Sequence, residues 1–224
     1  MRACVATTTR ATVLSLLAMD WLIWQLVDSA FPSGGFAHSG GLEAAWQQGE
    51  VESIEHFVRQ AIAQCGHGAL PFVGAAHQGA DDLAELDAHC DAFLSSAVAN
   101  RASRIQGGAF LLATKRAFPS IREFLPMHYA PLFGAICREI GVERRTAQAL
   151  FLQTTCRGVL AAAVRLGIIG SNAAQQLQAR LAPHLEDTLV RCEHLPAAQI
   201  SQTAPLIDLW QSMHDRLYSR LFQS

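Results

Sequence analysis

The chain has 224 residues, half of them apolar and 16% charged, with a formal net charge of −2. Apolar content this high excludes a disordered chain, and a chain this long buries roughly 70% of its unfolded surface, enough for a core without disulfides or metal. The near-zero charge removes the electrostatic footprint of a nucleic-acid binder and leaves little repulsion against association with other proteins.

Residues 1–19 hold no acid and carry Arg2 and Arg10 ahead of an apolar run. No small-residue cleavage site follows, and Asp20 comes next. The segment therefore reads as a frayed, disordered N-terminal extension, with a targeting segment as the competing reading. Asp20 and Gln25 interrupt the apolar stretch 13–27, which is too short and too polar to span a membrane.

Helical periodicity runs from there onward. Trp21, Ile23, Trp24 and Val27 mark a first helix stopped by Pro32. A second runs over about 39–48, after the turn signal Phe31-Pro-Ser-Gly-Gly35. Ser53 caps a third, which Pro71 kinks or splits near residue 70. Asp81 or Asp82 opens a fourth, a fifth covers about 97–118, and a short one covers 132–140. The longest, 143–169, has a small apolar face (Leu150, Phe151, Thr154, Val159, Ala162) and is expected to be central. Ser171 or Asn172 caps the next. Pro205 starts a last amphipathic helix through Leu206, Leu209, Trp210, Met213, Leu217 and Leu221. No stretch shows strand periodicity. The expectation is an all-α, single-domain helical bundle of about nine or ten helices over residues 20–224.

Catalytic signatures are missing. Lys115 is the only lysine, its neighbourhood is not a phosphate loop, and no dinucleotide fingerprint or G-x-S-x-G occurs. The nine histidines form no H-E-x-x-H pair, and the six cysteines form no C-x-x-C. They read as isolated histidines and buried free thiols of a reducing cytoplasm. The chain is expected not to be an enzyme and to bind no metal or cofactor.

Two segments are odd for a pure core. Residues 31–43, Phe-Pro-Ser-Gly-Gly-Phe-Ala-His-Ser-Gly-Gly-Leu-Glu, pack four glycines, a proline, two aromatics and a histidine together. The end of the chain, 214–224, combines Arg216 and Arg220 with Leu217, Tyr218, Leu221 and Phe222. Arg and Tyr are typical of interface hot spots. The plain alternatives are a tight interhelical turn and a last helix docked on its own core.

These segments also carry a resemblance. Trp24-Gln-Leu-Val-Asp28 with residues 31–43, Ala69-Leu-Pro-Phe-Val-Gly-Ala-Ala-His77, Ala161-Ala-Ala-Val-Arg-Leu-Gly167, and Ala204-Pro-Leu-Ile-Asp208 with His214 and Leu217-Tyr-Ser-Arg-Leu-Phe222 resemble the urease accessory protein F (UreF) family over about residues 20–224. Phe36-Ala-His-Ser39 is similar to the plant-type variant of its motif. The resemblance implies a cytoplasmic, all-helical, homodimeric, non-catalytic chaperone for nickel insertion into urease. It would bind the accessory proteins UreD (UreH) and UreG and reach apo-urease through that complex. Nickel and GTP would be handled by the wider assembly, with no nucleic acid and no membrane involved. The partner-binding residues expected on this reading are Pro32, Gly35, Phe36, His38, Ser39, Glu43, His214, Arg216, Tyr218, Arg220 and Phe222. One alternative is a regulator of the UreG GTPase, with Arg157, Arg216 or Arg220 reaching the nucleotide. Another is a helical metal- or small-ligand-binding protein.

Overall fold

The computed structural model describes residues 21–79 and 82–224. The expectations for residues 1–19 and for Cys4 lie outside them. Residues 33–224 form one compact unit, and residues 21–32 fall in a separate N-terminal one. In the latter, α1 covers 21–27, where the rings of Trp21 and Trp24 meet edge to face at 5.0 Å. The helix ends before Pro32 because the Asp28 side chain accepts the Ala30 N–H and turns the chain.

Nine α-helices build the 33–224 unit, and no strand occurs among the described residues. They are α2 Leu42–Gln47, α3 Ile54–Gln64, α4 Leu70–Gln78, α5 Leu83–Phe93, α6 Ala97–Ala117, α7 Tyr129–Glu139, α8 Arg144–Arg165, α9 Ser171–Cys192 and α10 Pro205–Met213. Their starts follow capping chemistry. Ser53, Asp82, Ser96 and Glu143 each accept a first-turn N–H from His56, Ala84, Ala99 and Thr146. At α9 the cap is Gly170, with no side-chain bond, and Ser171 is already helical.

Pro71 has the expected effect in a specific form. It lacks an N–H and crowds the carbonyl four residues back. The chain widens into a π turn over Cys65–Ala69 before α4 begins. The freed His67 carbonyl accepts the Ser201 N–H at 3.1 Å.

The core is centred on α4, whose residues Leu70 to Ala76 are all buried. α7 lies directly against it: a Cβ on Gly134 would fall 2.2 Å from the Val73 carbonyl oxygen. Phe110, Phe133, Phe151 and Tyr129 form an aromatic cluster with ring centroids 5.3–5.7 Å apart. Each such buried ring stabilises the fold by about 1.5–3 kcal/mol. α8 packs on α3, α4, α7 and α9, as its small apolar face implied. Cys65, Cys90, Cys137, Cys156 and Cys192 are buried free thiols. Burial pushes Cys65 and Cys90 up to about 12, far from the reactive thiolate. Among the described residues no helix is long and apolar enough to cross a membrane.

The last helix is shorter than its periodicity suggested. α10 stops at Met213, a single 3-10 turn covers His214–Arg216, and the chain then runs without helix to Ser224. The site below gives the reason.

Candidate functional site

The glycine-rich segment reaches its place by close backbone approach. Gly40 and Gly41 take φ of 64° and 88°, a region that costs any other L-residue strain. A Cβ on Gly41 would meet the Ile207 carbonyl at 3.0 Å, so the chain lies flat on α10. This puts Glu43, in the first turn of α2, inside the protein at 1% exposure.

A buried carboxylate needs donors, and Glu43 takes all of its donors from the end of the chain. Oε2 accepts from His214 Nε2 at 2.9 Å and from the Phe222 amide at 3.2 Å. Oε1 accepts from the Leu221 amide at 2.6 Å. In a continued helix those amides would be spent on carbonyls four residues back. Glu43 takes them instead, and the helix ends.

Further bonds close the clasp. The Ser39 amide donates to the Ser224 carbonyl at 2.6 Å, and the Gln223 amide donates to Ala37 at 2.8 Å. His38 Nδ1 pairs with Ser224 Oγ. Gln47 Nε2 donates to the Ser219 carbonyl at 3.0 Å. Arg165, at the end of α8, donates to the carbonyls of Phe36 and Leu221 and sits 4.2 Å from the Phe222 ring centroid. Outside, Asp215 takes Arg101 at 2.8 Å and Arg220 at 3.5 Å. Arg101 holds the Asp215 carboxyl below the usual range.

The expected site residues divide into two groups. Ser39, Glu43, His214 and Phe222 are buried, His38 and Gly35 are half-buried, and their polar atoms are largely spent within the clasp. Phe36 is 72% exposed, and Tyr218 is fully exposed. Arg216 and Arg220 are also exposed. Arg216 makes no hydrogen bond or ion pair with any described residue, whereas Arg220 is held by Asp215. The i, i+4 spacing of these two arginines does not place them on one helix face, because residues 217–220 are not helical. Pro32 is exposed and lies in the 21–32 unit.

Leu221, half exposed, was marked in the sequence only as part of the apolar stripe and of the 214–224 segment, while Arg165, Arg101 and Asp215 were not among the expected site residues. Arg165 had a signal, since it sits inside the stretch Ala161–Gly167. The stretch Ala69–His77 is elsewhere: it is the central helix α4, tied to the α7–α8 turn by His77 Nε2 on the Val142 carbonyl at 2.7 Å. Among the described residues no group of three or more His, Cys, Asp or Glu is placed to hold a metal ion.

In this all-helical unit residues 33–43 and 214–224 fold onto one another and leave the Phe36, Tyr218 and Arg216 side chains outward. The UreF family model matches residues 49–182. Urease accessory protein F of Arabidopsis thaliana is 37% identical over 223 residues, covering 92% of this chain and 93% of that protein. Its counterpart in Oryza sativa subsp. indica is 36% identical over 219 residues, covering 90% and 84%. Urease accessory protein UreF of Mesorhizobium japonicum is 31% identical over 224 residues, covering 96% and 98%. The chain belongs to the UreF family of urease accessory proteins.

Proposed function

We propose that this chain serves nickel insertion into urease as a non-catalytic, cytoplasmic, homodimeric chaperone. It binds UreD (UreH) and UreG and reaches apo-urease through that complex, while nickel and GTP are handled by the assembly. The clasp carries this reading. Its buried half consumes the polar groups of two segments far apart in sequence. Its outer half leaves Phe36, Tyr218, Leu221 and the unpaired Arg216 exposed, and Tyr and Arg are residue types that dominate binding hot spots.

The test is co-expression with UreD, UreG and apo-urease, followed by size-exclusion chromatography and a urease assay. A Phe36→Ala/Tyr218→Ala double variant removes exposed rings and leaves the clasp bonds intact. It should lose the complex, and urease activation with it, at unchanged helical circular dichroism. Undiminished complex formation would sink the assignment. A regulator of the UreG GTPase is the second reading, favoured by the free guanidinium of Arg216. Loss of stimulated GTP turnover in Arg216→Ala, with the complex intact, would select it.

A further inference from the structure

A half-open cavity of about 280 Å³ lies under the clasp, between α3, the π turn, α6, α8 and α10. Its size is at the small end of ligand pockets, roughly 300 Å³ and upward. Phe93, Phe151, Val98 and Ile207 give it a mainly apolar wall. A further cavity of about 170 Å³ shares Phe93, Phe151 and Gln106 with it. The π turn supplies part of the wall through Cys65, Gly68 and Ala69, and π turns concentrate at functional sites.

On this wall the His38 ring and the Asp208 carboxylate stand among the side-chain amides of Gln106, Gln202 and Gln211. His38 spends Nδ1 on Ser224, and its Nε2 is buried with no hydrogen bond. In the tautomer that carries its proton on Nδ1, Nε2 is a lone-pair acceptor. Burial, reinforced by His214, favours the neutral ring. Asp208, in the first turn of α10, is half-buried, and its carboxylate bonds to no described residue. Burial raises its pKa. The helix dipole favours an acid in this turn, but the exposed neighbours Pro205 and Leu206 offer the same dipole without desolvation. Asp208 also belongs to the stretch Ala204–Asp208, which the clasp does not use.

A carboxylate and an imidazole nitrogen set in a mainly apolar wall favour a donor-rich cation with a hydrocarbon body. A metal ion is a poor match, since no three ligand side chains converge among the described residues. We propose that this cavity binds a small organic cation, a primary ammonium on an aromatic or aliphatic body. The ammonium donates to Asp208, His38 Nε2 is a further acceptor, and the body lies between Phe93 and Phe151.

The probe pair is benzylammonium and benzyl alcohol, alike in shape and different in charge. Both are titrated into the full chain by calorimetry and saturation-transfer NMR. A charge-assisted bond to a half-buried carboxylate should make benzylammonium bind about 10- to 100-fold tighter. Asp208→Asn should erase that preference, and at neutral pH the unliganded variant should melt no lower than the parent. Ala102→Phe, which fills the cavity with Asp208 intact, should abolish binding of both probes. Absence of binding, equal affinity for the two, or a preference that survives in Asp208→Asn would overturn the proposal.

Discussion

Replacing Glu43 by alanine removes one side chain and strands three donors: the His214 ring at 2.9 Å, the Leu221 amide at 2.6 Å and the Phe222 amide at 3.2 Å. A buried donor left unpaired costs about 1–3 kcal/mol, and breaking a buried pair from one side costs about 3–5 kcal/mol. The helical core does not rest on this carboxylate. The chain therefore escapes the cost by letting residues 214–224 lift away. The remaining ties are the Ser39–Ser224 and Gln223–Ala37 backbone bonds, the His38–Ser224, Gln47–Ser219 and Arg165–Leu221 bonds, the exposed Arg101–Asp215 pair and the stacking of Arg165 on Phe222, each worth about 1 kcal/mol or less. The closing free energy of the segment should fall by about 3–5 kcal/mol, raising its open fraction on the order of 10²- to 10⁴-fold. Hydrogen exchange reads this directly. The Leu221, Phe222 and Gln223 amides should lose protection in Glu43→Ala, with α4 and α7 unchanged. Glu43→Gln keeps the size and one acceptor oxygen and should fall between the two. Unaltered protection at Leu221 and Phe222 in Glu43→Ala would refute the view that this carboxylate holds the clasp shut.

Other outcomes follow from the same geometry. Gly134→Ala drives a Cβ to 2.2 Å from the Val73 carbonyl and should cost at least about 1–3 kcal/mol in urea unfolding. Gly158→Ala, with nothing within 4 Å of the new Cβ, should instead stabilise α8 by up to about 1 kcal/mol. Arg165→Lys keeps the charge but cannot span two carbonyls and a ring face as guanidinium does. It should loosen the segment by about 1–2 kcal/mol, visible as faster exchange at Gln223. His38 has its pKa lowered by burial and by His214, so the unfolded chain binds more protons. Its contribution is intact above the ordinary value of 6.5 and is lost as pH falls below it. Melting followed from pH 7.5 to 5.5 should show a decline that His38→Gln reduces.

The helices were legible because their signals are local. Ser53 and Ser96 cap through their own first turns, and Pro71 disturbs the carbonyl four residues behind it. The fifth helix ends one residue before its expected stop. Where a signal was ambiguous, as at Gly170 and Ser171, the error was one residue. The burial of α4 was harder to read, since a nine-residue apolar segment has the same periodicity whether one face or every face is covered.

The clasp shows the limit most clearly. From residues alone, 31–43 and 214–224 were recognisable as unusual, and the resemblance marked them as belonging to the UreF pattern. The sequence also carried the apolar stripe that continued past Met213, and nothing local contradicted a helix there. Tertiary structure decided otherwise, because one carboxylate more than 170 positions away offers the Leu221 and Phe222 amides a better acceptor than their own helix. Which side chains stay outside follows from the same event. Glu43 and His214 are drawn in as a pair, while Phe36, Tyr218 and Arg216 have no partner within the described residues and are left facing out. Periodicity and capping thus determine the elements, since they depend on neighbours within one or two turns. The division between buried clasp and outward surface depends on a long-range hydrogen-bond exchange, which exists only once the bundle has brought the two segments together.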